Sequence, residues 1–315
     1  MKTSQDLVPL GKTGIMITPV GVGTWAWGDR LVWGYGGDDY DDSDIKEAFD
    51  VSLDNGANWF DTAEVYGMGR SERFLGKFIP TATREVLVAT KFFPFPWRLR
   101  KEALIRSLKD SLRRLQLSQV DLYQIHVPLG RWSKPKYLSA LADAAKAGLT
   151  RAVGVSNFNT EKTRLTNQTL KAAGVSLASN QVEYSLFDRR IEKNGLLDYC
   201  LENDITVIAY SPLAKGMVTG KYGPENPPPG PRSRMYPPEK LQLAQPLIAL
   251  LKEIGADHGK TPAQVALNWT ICKGTVPIPG AKNAKQAADN LGAMGWRLSP
   301  EAVTALDEAS DVLAG

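Results

Sequence analysis

This 315-residue chain is poor in the residues that build metal centres and disulfide frameworks, with two cysteines (Cys200, Cys272) and two histidines (His126, His258). The cysteines sit in separate helix-patterned segments, LLDYCLEN and LNWTICKG, without metal-ligand spacing. Neither a metal site nor a disulfide scaffold is expected. No run of about 18 apolar residues occurs, so no membrane partner is expected. The opening MKTSQDLVPLG lacks the charged-then-apolar order of a secretory signal, which points to the cytoplasm, or to an organellar stroma or matrix if a transit segment was removed. The 38 basic and 34 acidic residues form no basic block, and no nucleic-acid partner is expected. No GxGxxG turn follows the first strand candidate, which argues against a doubly wound dinucleotide domain.

What the chain does have is alternation. After a hairpin start, where VPLG and IMITP flank Lys12, Thr13 and Gly14, short apolar runs alternate with helix-period segments. The strand candidates are 20–23, 58–62, 86–91, 121–126, 152–157, 179–184, 206–212 and 276–280, each short and apolar as strands buried on both faces should be. Between them, segments such as SDIKEAFDVSLDNG and KEALIRSLKDSLRRLQ place apolar residues three and four apart. Eight strand–helix units predict a (β/α)8 TIM barrel with an N-terminal β-hairpin, formed by residues 1–315 as a single domain. The proline-rich stretch 221–238 is expected to form an extended loop on the rim after the seventh strand, where it could fold over a ligand.

The ionisable residues cluster at strand ends. Asp61 follows NWF and opens DTAEVYGMGRSE, which carries Tyr66; Lys91 closes VLVATK; His126 closes VDLYQIH. In a barrel these share the C-terminal rim, where chemistry sits. A free tyrosine has a pKa of about 10, so Tyr66 acts as an acid near neutrality only beside a cation. Lys91 is the expected cation, held protonated by Asp61, with His126 donating a hydrogen bond to a carbonyl oxygen. His258, inside ADHGK, reads as a surface helix end.

The motifs DTAEVYGMGRSERFLG, LYQIHVP, AVGVSNF, NQVEYSL, AYSPLAKGMVTGKY, TPAQVALNW and PIPGAKNAKQAADN, in this order, resemble the aldo-keto reductase superfamily over nearly the whole chain. The resemblance implies a barrel without a Rossmann domain, NADPH/NADP+ as cofactor, a small-molecule carbonyl substrate, a monomer, and a catalytic tetrad of Asp61, Tyr66, Lys91 and His126. It also implies cofactor contacts from Gly23, Thr24 and Trp25 after the first strand. Ser156, Asn157 and Gln181 resemble the residues that bind the nicotinamide carboxamide, and Tyr210 the ring stacked under it. Ser211, Leu213 and Gly216 would approach the pyrophosphate. Lys282, Asn283, Gln286 and Asn290 would meet the adenosine phosphate at a helix start, although Asn283 and Gln286 also read as a capping box. Some relatives carry a lysine directly after PIP; here that place is Gly280, and Lys282 supplies the charge.

Trp25, Trp27, Trp33, Trp97 and Trp132, with Phe93 and Phe95, fall in rim loops and suggest an apolar or planar substrate, with loop packing as the competing role. Arg98, Arg100 and Lys101 are expected to begin a solvated helix face, or to meet an acidic substrate group. Two other classes stay open: an NADPH-binding sensor of the same fold with slow turnover, and a lyase using Lys91 as a Schiff-base amine, which an Asp61 partner disfavours.

Overall fold

The computed structural model describes residues 7–37, 40–230 and 232–313. All eight expected strands form. After the antiparallel pair β1 (Val8–Pro9) and β2 (Met16–Ile17) come β3 (Val22–Gly23), β4 (Trp59–Asp61), β5 (Leu87–Phe92), β6 (Val120–Ile125), β7 (Thr150–Ser156), β8 (Leu177–Glu183), β9 (Thr206–Tyr210) and β10 (Val276–Pro277). Strands β3 to β10 make one parallel sheet in sequence order. The sheet curls: Gly21 and Gly23 donate their N–H groups to the carbonyls of Pro277 and Pro279, both at 3.0 Å, which brings the first strand beside the last.

Helices on the outside separate the strands, as the 3.6-residue periodicity predicts. The helix Asp42–Asp54 starts at a reciprocal capping box between Asp41 and Asp44, and Pro262–Cys272 at one between Thr261 and Gln264. Each box satisfies N–H groups that a helix start otherwise leaves open. The helix Glu102–Leu115 buries Leu104, Leu108, Leu112 and Leu115 on one face and joins the large core between helices and sheet. Among the described residues no helix is long and apolar enough to cross a membrane.

A second, smaller core fills the interior of the curled sheet, and period-2 alternation builds it. Trp59, Leu87, Ala89, Leu122 and Ile208 point inward, and Leu10, Ile15 and Ile17 of the hairpin segment join them from below. Continuing the same alternation toward the C-terminal strand ends brings Asp61 two residues after Trp59, Lys91 two after Ala89, and Gln124 two after Leu122. The floor of the sheet is therefore apolar and its upper end is charged.

The 221–238 stretch departs from expectation. It holds a short helix at Arg232–Met235, and Pro238 opens another, Pro238–Leu243. Proline excludes itself from helix interiors but suits the first turn, where its missing N–H costs nothing.

Candidate active site

Asp61 ends β4, and the chain turns at once so that Tyr66 comes back over the strand ends. The turn Tyr66–Gly69 needs left-handed backbone at Gly67 (φ 53), Met68 (φ 57) and Gly69 (φ 81). A Cβ on Gly67 would stand 2.6 Å from the carbonyl oxygen of Gly28, so this position requires glycine. Lys91, fully buried on β5, donates from Nζ to the Asp61 Oδ1, to the Thr62 carbonyl at 2.9 Å, and to the Tyr66 hydroxyl at 3.3 Å. The other oxygen of Asp61 accepts from Gln181 Nε2 at 2.8 Å and Gln124 Nε2 at 3.4 Å. His126, one residue past β6, stands edge-on to the Tyr66 ring with centroids 5.7 Å apart. The four expected residues thus meet in one cluster.

Burial pushes the Tyr66 pKa up, and Lys91 pulls it back only in part, so the net direction is upward and not toward neutrality. Desolvation costs the phenolate more than one shared ammonium returns. For Lys91, burial lowers the pKa while Asp61 and Tyr66 more than offset it, so the amine stays charged. A lysine held as ammonium is a poor Schiff-base nucleophile. Burial first and Lys91 second push His126 down to about 3, leaving a neutral imidazole.

That depression has a stability consequence. Because His126 binds a proton less readily folded than unfolded, its contribution is complete above the unfolded value of about 6.5 and is lost as pH falls from there toward 3. Between pH 7 and pH 5 this group alone should cost about 2 kcal/mol. Urea unfolding at both pH values should show a smaller pH difference in His126→Gln than in the parent; equal differences would refute the assignment.

Beside the cluster opens a cavity of about 750 Å³. Asp61, Tyr66 and His126 line one end, with Lys91 buried behind them. All the other expected positions line it too: Gly23, Thr24, Trp25, Ser156, Asn157, Gln181, Tyr210, Ser211, Leu213, Gly216, Lys282, Asn283, Gln286 and Asn290. Near the cluster the wall is aromatic and amide-bearing. Asn157, in left-handed backbone (φ 63), accepts from the Tyr210 hydroxyl at 2.9 Å and donates to the His126 carbonyl at 3.0 Å. Farther on, Ser211 (φ 51), Ala214 (φ 48) and Lys215 (φ 55) concentrate strained backbone after β9, a feature that clusters at ligand clamps, and Gly216 (φ 95) follows in a conformation that suits glycine.

Lys215, Lys221, Arg232 and Lys282 bring cations to the same cavity, against Asp289. Asn283 caps the helix Ala284–Leu291 by accepting from the Gln286 N–H, but the Gln286 side chain accepts from the Lys282 N–H instead of closing a reciprocal box. Lys282 Nζ donates to the Trp33 carbonyl at 3.0 Å. A planar, amide-reading end and a cationic end with a helix start fit an extended ligand that carries an aromatic head and phosphates.

The aromatic expectation divides. Trp25 and Trp33 line the cavity and meet edge to face at 5.5 Å, and Trp25 stacks on Tyr66 at 6.1 Å. Trp27 and Trp132 are buried core residues, and Trp97 is 72% exposed on a stack with Phe95. Arg98 does not begin a solvated face: it lies outside the cavity lining and pairs with Glu64. Sequence reasoning missed Glu64 and Gln124. Inward alternation back from His126 could have found Gln124, whereas a carboxylate paired across loops leaves no local pattern. Tyr222 and Arg232 were expected only collectively, as part of the proline-rich loop.

The Aldo/keto reductase family model matches residues 19–311. A chloroplastic pyridoxal reductase of Arabidopsis thaliana is 42% identical over 314 residues, 94% of this chain and 84% of its own. An NADP(+)-designated aldo-keto reductase of Schizosaccharomyces pombe is 30% identical over 323 residues, 96% and 92% of the two chains. The solved glycerol dehydrogenase of Gluconobacter oxydans superposes with a TM-score of 0.85 at 28% identity, covering 96% of this chain and 94% of that one. With its eight parallel strands, its outer helices and a family match across nearly its whole length, the chain belongs to the aldo/keto reductase family.

Proposed function

We propose that this protein is an NADPH-dependent reductase of aldehydes and ketones, with ring-bearing aldehydes of the pyridoxal kind as its preferred class. The observation that carries the reading is the Tyr66 hydroxyl, at the cavity wall and 3.3 Å from a buried ammonium that is itself paired with Asp61. When bound, the reduced nicotinamide supplies the hydride for the carbonyl carbon.

Tyr66 gives its phenolic proton to the carbonyl oxygen. The raised pKa keeps that proton in place until charge develops on the oxygen, and Lys91 then donates to the nascent phenolate. Asp61 holds Lys91 in position, and Gln181 and Gln124 hold Asp61. His126 is the second donor to the oxygen. Its Nδ1 is buried with no hydrogen-bond partner among the described residues. An orphan lone pair is better tolerated than an orphan N–H, so the proton belongs on Nε2.

Ser156, Asn157, Gln181 and Tyr210 would hold the nicotinamide end, and the loop after β9 with Lys282, Asn283, Gln286 and Asn290 the phosphates. Lys282 and Arg232 favour the extra phosphate of NADPH over NADH, in keeping with the designation of the fission-yeast relative. The flat Trp25 and Trp33 surfaces beside Tyr66 suit a planar ring, and the pyridoxal reductase is 42% identical.

The test follows reduced-nicotinamide absorbance with pyridoxal and with aromatic, aliphatic and sugar aldehydes. Saturable NADPH oxidation is expected, with the highest kcat/KM for ring-bearing aldehydes and weaker turnover with NADH. No turnover across the panel, with NADPH still bound in fluorescence titration, would replace the reductase by a nucleotide-binding sensor.

A further inference from the structure

The Glu64 side chain, 8% exposed, lies two residues before Tyr66 and outside the cavity lining, yet it gathers several donors. Its Oε1 accepts from the Phe93 N–H at 2.6 Å and from Arg98 Nη1; its Oε2 accepts from Arg98 Nη2 at 2.9 Å and from the Ser107 hydroxyl. Arg98 also donates to the Phe93 carbonyl at 2.8 Å and lies over the Phe92 and Phe95 rings, while its own carbonyl accepts from Trp132 Nε1 at 3.1 Å. One bidentate pair thus grips both ends of the arm FPFPWR, residues 93–98, directly after the strand that carries Lys91.

The arm bears on His126. A functional imidazole is usually oriented by a hydrogen bond at its second nitrogen, and Nδ1 here has none among the described residues. Two ring contacts hold it instead. Tyr66 stands edge-on at 5.7 Å and 82°, and Phe93 at 5.6 Å and 81°. Tyr66 is fixed by its turn and by Lys91; Phe93 is fixed through its backbone by Glu64 and Arg98.

We propose that the Glu64–Arg98 pair is a positioning device that clamps the 93–98 arm so that Phe93 sets the plane of the His126 imidazole. Glu64 and Arg98 touch neither substrate nor cofactor and act through Phe93. The consequence for turnover rests on the reading of His126 as a donor to the carbonyl oxygen. A small rotation of such a group is costly, because a misplacement of about 1 Å can lower a rate by about 100-fold.

The chain's two histidines make nitrogen NMR of the imidazoles a direct readout, with exposed His258 as internal reference. The parent should show one sharp Nε2–H set for His126. Arg98→Met should broaden or average that set and lower kcat by about 10- to 100-fold with NADPH affinity unchanged. Arg98→Lys, which keeps the charge but not the fork, should recover part of both. If Arg98→Met fails to fold because Glu64 is left buried and charged, Glu64→Gln/Arg98→Met removes both charges and should give the same two effects. Unchanged His126 signals in a folded variant overturn the clamp. Changed signals with full turnover overturn the donor reading of His126, and with it the clamp's role in catalysis.

Discussion

Tyr66→Phe is expected to lower kcat by about 10² to 10⁴ while leaving NADPH affinity essentially unchanged. That range corresponds to about 3 to 5 kcal/mol of transition-state stabilisation. The substitution removes one hydroxyl and keeps the ring, so the Trp25 stack and the edge contact with His126 survive. What is lost is the proposed proton donor, which is also the acceptor of the Lys91 bond at 3.3 Å. The pH profile gives an independent check. His126 titrates near 3 and Tyr66 above its ordinary value, so neither changes charge between about pH 5 and 8, and reduction should be flat there and fall only in alkali, as the phenol ionises. A limb near pH 6.5, or a Phe variant of near-parental kcat, would move the acid's role to His126 or to water.

The strands were legible because burial on both faces leaves an unmistakable signature: short apolar runs at regular spacing. All eight formed within two residues of the expected starts. The gathering of these side chains at one rim was legible for a related reason. A charged residue at the end of an apolar run has to find its partner at the rim, as Asp61 and Lys91 do, and His126 joins them there through its ring contact with Tyr66. The direction of the Tyr66 shift was not legible, since it depends on how much water the fold removes from the phenol, which no spacing encodes. The fate of the tryptophans was likewise hidden: Trp27 and Trp132 share loops with exposed or lining neighbours, and only packing assigns their indoles to the carbonyls of Ala281 and Arg98. Helical turns in 221–238 were missed because proline was read as a breaker without regard to its place in the first turn.

Lys91→Met should have the largest combined effect, on activity and on folding together. Nζ is fully buried, and its removal leaves the Asp61 carboxylate, itself 1% exposed, with the amides of Gln181 and Gln124 as its only side-chain donors among the described residues. Breaking a buried pair from one side costs about 3 to 5 kcal/mol, because a charge remains without compensation. That is a large part of the roughly 5 to 15 kcal/mol that holds a typical domain together. Turnover should fall at least as far as in Tyr66→Phe if, as proposed, Lys91 is the cation that receives the charge developing on Tyr66. The double variant Asp61→Asn/Lys91→Met separates the two roles. With both charges gone the desolvation penalty goes too, so its urea midpoint should recover most of the loss while turnover stays absent. If the double variant is as unstable as Lys91→Met, the cost lies in lost packing of the lysine stem rather than in the stranded carboxylate. If turnover returns with stability, the ammonium is structural and Tyr66 needs no cation to give up its proton.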